Sequence, residues 1–277
     1  MTILTFTLLL LAGAYLAGLV GSLTGLGGGV VIIPLLTLVF HIDIRYAIGA
    51  ALLASIANSS GAASAYVKEG ITNIRLGMFL EIATTVGAVI GAVIAVYTPT
   101  NTIAILFGCI LLFSAAMTLR KKNQEALLSG SNAANVLKLN STYPTKDGPV
   151  SYKINNVGLG FSIMTVAGVF SGLLGIGSGA LKVLAMDSTM RIPFKVSTTT
   201  SNFMIGVTAA ASAVVYLQRG YMDAGIAFPV VLGVLGGAFT GAKLLTRIDP
   251  KVLKYIFCAA IAFVAVEMIF NGYNHKF

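Results

Sequence analysis

The stretch GLVGSLTGLGGGVVIIPL, residues 18–35, interrupts an apolar run with Gly25, Gly27, Gly28 and Gly29 and then resumes as Val30–Ile33 and Pro34-Leu35. Residues 1–40 contain no charged side chain and no histidine. A hydrocarbon core about 30 Å thick is crossed by roughly 20 helical residues. The run is therefore too long for one span, and its glycines divide it into a helical hairpin or two helix pieces. A break inside a bilayer exposes unpaired N–H and C=O groups, which is tolerated only around a cavity or a ligand. Glycine there permits positive φ and a close approach, and a helix starting at Gly29 presents free N–H groups that suit an anion.

The rest of the chain agrees with a membrane setting. Of 277 residues, 57% are hydrophobic and only 10% charged, with a mean hydropathy of +0.91. Soluble domains carry about 25% charged residues, so a soluble enzyme and a disordered binder are both excluded. Charge-free runs cover 46–67, 196–218 and 224–242, and 76–119 holds only Glu81. The last of these divides at Thr98-Pro99-Thr100 into two spans. The first segment is not read as a cleaved leader, because no Lys or Arg precedes it and because it recurs.

A shift of 150 residues places Gly18, Leu23, Gly25, Gly27 and Gly29 on Gly168, Leu173, Gly175, Gly177 and Gly179. At the same offset Tyr66 and Gly70 fall on Tyr216 and Gly220, while Gly87 and Gly91 fall on Gly237 and Gly241. The expected domains are an N-terminal transmembrane repeat (1–118), a polar linker (119–155) and a C-terminal transmembrane repeat (156–277). The linker holds Arg120, Lys121, Lys122, Lys138, Lys146 and Lys153, and it alternates weakly around Lys146-Asp147-Gly148-Pro149 as a small β-hairpin would. Parallel halves give no charge asymmetry. Inverted halves gather Lys68, Arg75, the linker, Arg191, Lys195, Lys243, Arg247, Lys251 and Lys254 on one side, against Arg45, Arg219 and Lys276 on the other. The expected fold is an all-α integral membrane protein of two inverted repeats. Each repeat has about five membrane segments (8–10 spans in all), the first segment broken at its glycines. The net charge of +9 then marks the cytoplasmic face and not a nucleic-acid partner, with both termini outside.

Inverted repeats with matched broken segments indicate a secondary transporter. The candidate substrate-binding residues are Gly25, Gly27, Gly28, Gly29 and Asn58 in the first half. In the second they are Gly175, Gly177, Ser178, Gly179, Lys182, Thr198, Thr199 and Asn202. Lys182 stands opposite Ile32, and a lysine at mid-bilayer costs about 2.5–3.5 kcal/mol on insertion scales, so it needs a partner or a ligand. Glu81 and Asp187 are its candidate counter-ions and the candidate coupling residues. The run Ser197–Asn202 places six hydroxyl or amide side chains in an apolar span, more than bonding back to the helix requires. Its counterpart span carries Ser55, Asn58, Ser59 and Ser60. Gly87, Gly91, Gly237 and Gly241 read instead as helix-packing glycines. With two histidines (His41 and His275) and two isolated cysteines (Cys109 and Cys258), neither a metal centre nor a cofactor is expected. No Ser-His-Asp or Cys-His set supports an enzyme.

At these glycines the sequence resembles the sulfite exporter TauE/SafE family of membrane transporters. The pattern stands as Gly18–Gly29 with Pro34-Leu35, and again as Gly168–Gly179. The second copy departs from it, with Ser178 for the middle glycine and Leu184 in place of Pro34, so the two hairpins are expected to differ in shape or in ligand contact. The resemblance implies a small anion as partner: sulfite, sulfoacetate or a related organosulfonate. Coupling to a proton or sodium ion is needed for uptake, whereas export runs down a negative-inside potential by about 2.3 kcal/mol per charge at 100 mV. An anion channel and a membrane scaffold without transport are the other two readings.

Overall fold

The computed structural model describes residues 3–24, 27–119, 131–145, 148–177, 179–244 and 250–274. Gly25, Ser178, Arg120, Lys121, Lys122, Lys146 and His275 lie outside them. In the first half the helices are α1 (Ile3–Thr24), α2 (Gly29–Pro34), α3 (Ile44–Lys68), α4 (Ile74–Tyr97) and α5 (Thr100–Leu119). A short α6 (Asn132–Val136) precedes the strands β1 (Ser141–Thr145) and β2 (Gly148–Tyr152). The second half holds α7 (Val157–Leu174), α8 (Gly179–Leu184), α9 (Phe194–Gln218), α10 (Ala224–Leu244) and α11 (Pro250–Tyr273). Six of these helices are long and apolar enough to cross a membrane, namely α1, α3, α4, α7, α9 and α10. Shorter apolar helical stretches cover Gly29–Val39, Thr100–Ala116 and Ala262–Tyr273 among the described residues.

The offset seen in the sequence reappears in the backbone. α2 continues as a π-helical turn over Leu35–Val39, and α8 does the same over Ala185–Thr189. Each π turn closes alike: the N–H groups of Phe40 and Ile42 donate to Leu35 O and Leu36 O, and those of Met190 and Ile192 to Ala185 O and Met186 O. His41 (φ 53°) and Arg191 (φ 58°) then take the left-handed conformation at matching positions. The two short arms are thus alike in their π turns. The π turn forms with Pro34 before it and equally with Leu184, because it follows from the i→i−5 bond and not from the missing proline N–H.

Both broken segments are hairpins. Phe40 at the end of the first short arm meets Phe6 near the start of α1, edge to face at 5.1 Å. A Cβ on Gly13 would meet the Leu35 side chain, and one on Gly21 the backbone of Gly27 and Gly28. In the second hairpin Asn155 N–H donates to Met190 O at 3.1 Å, and Asn156 Nδ2 donates to Thr189 O at 3.2 Å. Each short arm therefore returns towards the end from which its long arm entered.

The halves pack crosswise. α1 lies along α10 and α7 along α4, while α3 crosses α9 and α5 pairs with α11. Glycines at the contact faces explain how close these helices come. A Cβ on Gly18 would fall on the Val234 carbonyl and one on Gly237 on that of Tyr15. Across the other pair, Gly91 faces the Val169 carbonyl and Gly172 that of Ala88. With little hydrophobic drive between helices in lipid, such backbone proximity supplies the packing energy. Gly91→Ala should therefore lower stability by about 1–3 kcal/mol through overpacking, read as a lower melting temperature in detergent. Gly158→Ala, with open space around its Cβ position, should leave it unchanged or raise it by up to about 1 kcal/mol.

The β-hairpin expected in the linker is present, antiparallel with Tyr143 opposite Val150; its Lys146-Asp147 turn lies outside the described residues. The strands and their flanks pack Leu139, Tyr152 and Ile154 against Met186, Met190, Ile192 and Val196. Asn73 ties this layer to the bundle. Its Oδ1 accepts from Leu76 N–H to cap α4, and its Nδ2 donates to Leu139 O and to the Tyr152 hydroxyl oxygen, both at 2.9 Å. Burial pushes the Tyr152 phenol up, with Asn73 offsetting part of that rise. At the other end of α3 and α4, Arg45 donates to Thr98 O at 3.2 Å and lies over the Tyr221 ring. Arg219 there lies over Tyr97.

Candidate functional site

The two glycine breaks meet. A Cβ on Gly29 would lie 2.8 Å from the Gly175 carbonyl oxygen and 3.0 Å from Ser55 Oγ. Gly27 (φ 82°) and Gly177 (φ 66°) turn the chain in the left-handed region, and both abut Ile205 of α9. Glycine is required here twice over, for the backbone angle and for the approach of one break to the other. Gly27, Gly28, Gly29, Gly175, Gly177 and Gly179 are all buried.

The crossing of α3 and α9 lines this junction with polar side chains. Asn58 and Asn202 are fully buried, and neither their amide nitrogens nor their amide oxygens have a hydrogen-bond partner. Ser55 Oγ and Thr198 Oγ1 are likewise buried without partners. Asn58 Cβ sits 3.9 Å from where a Cβ on Gly28 would stand. Beside Asn202, the Ser201 hydroxyl donates to Gly179 O at 3.2 Å. The Ser59 hydroxyl donates to the Asn202 carbonyl oxygen and so fixes the crossing.

The remainder of the polar run serves the fold. Ser197 donates to Ile192 O, and Thr199 donates back to Lys195 O or Val196 O of its own helix. Thr200 Oγ1 accepts from Asn73 N–H at 3.1 Å. Of the residues singled out in this run, Thr198 and Asn202 keep free polar atoms, whereas the Thr199 hydroxyl is occupied.

Lys182, on α8 and fully buried, meets Glu81 of α4 with Nζ–Oε2 at 3.8 Å. Between them stands Thr208 of α9. Its hydroxyl oxygen accepts from Lys182 Nζ and its proton points to Glu81 Oε1. Thr85 donates to the same carboxylate oxygen at 3.3 Å, while Glu81 Oε2 has no hydrogen bond. Of the two candidate counter-ions, Glu81 forms this pair. Asp187 sits half-buried in the second π turn. Sequence reasoning passed over Thr208, although the 150-residue offset places it on Asn58, a match that could have singled it out.

A polytopic helical membrane protein with two broken hairpins meeting at a buried polar junction is thereby defined, and its relatives are membrane transporters. The chain belongs to the sulfite exporter TauE/SafE family, whose model matches residues 10–268. It is 28% identical over 277 residues to the probable membrane transporter protein YunE of Bacillus subtilis, covering 97% of this chain and 99% of that one. To the probable membrane transporter protein YdhB of the same organism it is 26% identical, covering 89% and 93%. With the probable membrane transporter protein MJ0441 of Methanocaldococcus jannaschii it shares 22% identity over 96% of each chain. No solved structure matches the chain.

Proposed function

We propose that this protein is a secondary transporter that carries a small oxyanion (sulfite, sulfoacetate or a related organosulfonate) across the cell membrane by alternating access. The observation that carries this reading is the junction of the two breaks, where the Asn58 and Asn202 amides lie buried without partners. A buried amide left unpaired costs about 1–3 kcal/mol, and that cost is offset when an oxyanion accepts from both. Lys182 supplies the positive charge, Ser55 and Thr198 supply further hydroxyl donors, and the backbone N–H groups at Gly29 and Gly179 complete the cradle. Gly25 and Ser178, neighbours of these glycines in the sequence, are the remaining candidates.

In this reading the halves (1–118 and 156–277) are inverted, and the connections that join the β-hairpin layer face the cytoplasm. Lys68, Arg75, Lys138, Lys153, Arg191 and Lys195 cluster at that end, which agrees with the positive-inside rule, and both termini lie outside. One bundle rocks against the other about the α3–α9 crossing, exposing the junction first to one side and then to the other. Transport of this kind breaks no covalent bond, so the protein is a carrier and not an enzyme.

The test is counterflow in proteoliposomes. Labelled sulfite or sulfonate should accumulate transiently in vesicles preloaded with unlabelled anion, with saturation. Flux independent of internal anion would instead indicate a channel. No flux of any anion would indicate a scaffold.

A further inference from the structure

We propose that Glu81 is a proton carrier, taking up one proton for each anion bound so that the anion travels with it; the idea rests on the transport reading above and names its coupling ion. In the empty protein the Lys182 ammonium and the Glu81 carboxylate neutralise one another across 3.8 Å, bridged by the Thr208 hydroxyl. An oxyanion drawn to Lys182 would leave the site with one excess negative charge in a low-dielectric interior. Among the described residues, the other acid on the elements around Lys182 is Asp187, half-buried in the π turn that continues α8, and no second cation stands beside the pair. α7, packed on α4, has no charged residue, and α9 has only Lys195, which is exposed near its far end. On α4 itself the other charge is Arg75, exposed at the helix start.

Protonation of Glu81 restores neutrality. The change is Lys182⁺·Glu81⁻ plus anion⁻ plus H⁺ giving Lys182⁺·anion⁻ with Glu81 as the neutral acid. The proton comes from water, and no bond of the substrate is made or broken. Lys182 exchanges its Thr208 bond for the oxyanion, while Thr85 and Thr208 remain beside the carboxyl. The unbonded Oε2 of Glu81 is free to receive the proton. A monovalent anion then crosses without net charge, and a pH gradient drives its accumulation. A sodium ion fits this site less well, because Lys182 already occupies the cation position.

The probe is methanesulfonate, which stays ionised throughout and brings no proton of its own. With wild-type protein in weakly buffered detergent, a pH indicator should report about one proton taken up per methanesulfonate bound. Thermal-shift titrations should show affinity falling as pH rises, by up to about tenfold per pH unit for one coupled proton. Glu81→Gln should bind more tightly at high pH, with no proton uptake and a flat pH profile. Binding by the wild type without proton uptake overturns the proposal but leaves the transport reading standing, and so does a Glu81→Gln variant that keeps the pH slope. Failure of both methanesulfonate and sulfite to stabilise the wild type at any pH overturns both. Where Glu81→Gln fails to fold, a wild-type count of zero protons still overturns the proposal, and Glu81→Asp, which keeps the carboxyl, should keep the proton uptake.

Discussion

Lys182→Met should abolish anion counterflow, a loss of more than 100-fold, and should lower stability by about 3–5 kcal/mol, the usual cost of stranding one member of a buried ion pair. The structural loss falls on Glu81, whose carboxylate would keep only the Thr208 and Thr85 hydroxyls. The double variant Lys182→Met/Glu81→Gln should recover most of that stability, because no buried charge remains to be compensated. It should not recover transport. The two substitutions are coupled, so their separate effects on unfolding in detergent should sum to far more than the effect of the pair. A Lys182→Met protein that exchanges anions at the wild-type rate would remove Lys182 from the site.

Asn202→Leu is expected to separate stability from function in the opposite direction. The Asn202 amide is buried with no partner for either of its polar atoms, so an apolar side chain of similar volume removes a desolvation cost of about 1–3 kcal/mol. The position 150 residues earlier is Leu52, fully buried in the equivalent helix, which indicates that the backbone there accepts leucine. Hydrogen bonds to a charged group are worth about 1.5–3 kcal/mol each. Losing one from the oxyanion should therefore weaken half-saturation of counterflow by roughly 10- to 100-fold. A higher melting temperature with impaired transport supports a ligand-binding amide. A lower melting temperature would show that Asn202 holds the fold through contacts of its own.

Much of the architecture could be read from glycine positions. Gly29 and Gly179 begin short helices as the break predicts, and Gly70 and Gly220 turn at positive φ after α3 and α9. Gly87, Gly91, Gly237 and Gly241 take the packing role assigned to them. Such features are local: a missing Cβ acts on its own backbone or on whatever touches it. What no local pattern carries is which helices touch. The pairing of α1 with α10 and of α7 with α4 depends on matching notches far apart in the chain, and Gly18 does not name Val234. The same limit applied to the site. Lys182 asked for a counter-ion, yet choosing Glu81 over Asp187, five residues away, required the placement of α4 beside α9. The Thr199 hydroxyl shows the converse, a residue chosen for its chemistry whose hydroxyl bonds back to its own helix.

The crosswise pairing of α1 with α10 and α7 with α4 also governs how the chain is made. When the first hairpin leaves the ribosome, its notched face has no counterpart until nearly the whole polypeptide has been synthesised. α4, released early, likewise waits for α7 on the far side of the linker. Insertion into the bilayer and assembly within it are therefore separate events in time, and the nascent first half must be kept from pairing with a neighbouring molecule. A chain cut short in the linker would leave those grooves unpaired. Two half-length polypeptides made side by side would carry complementary grooves.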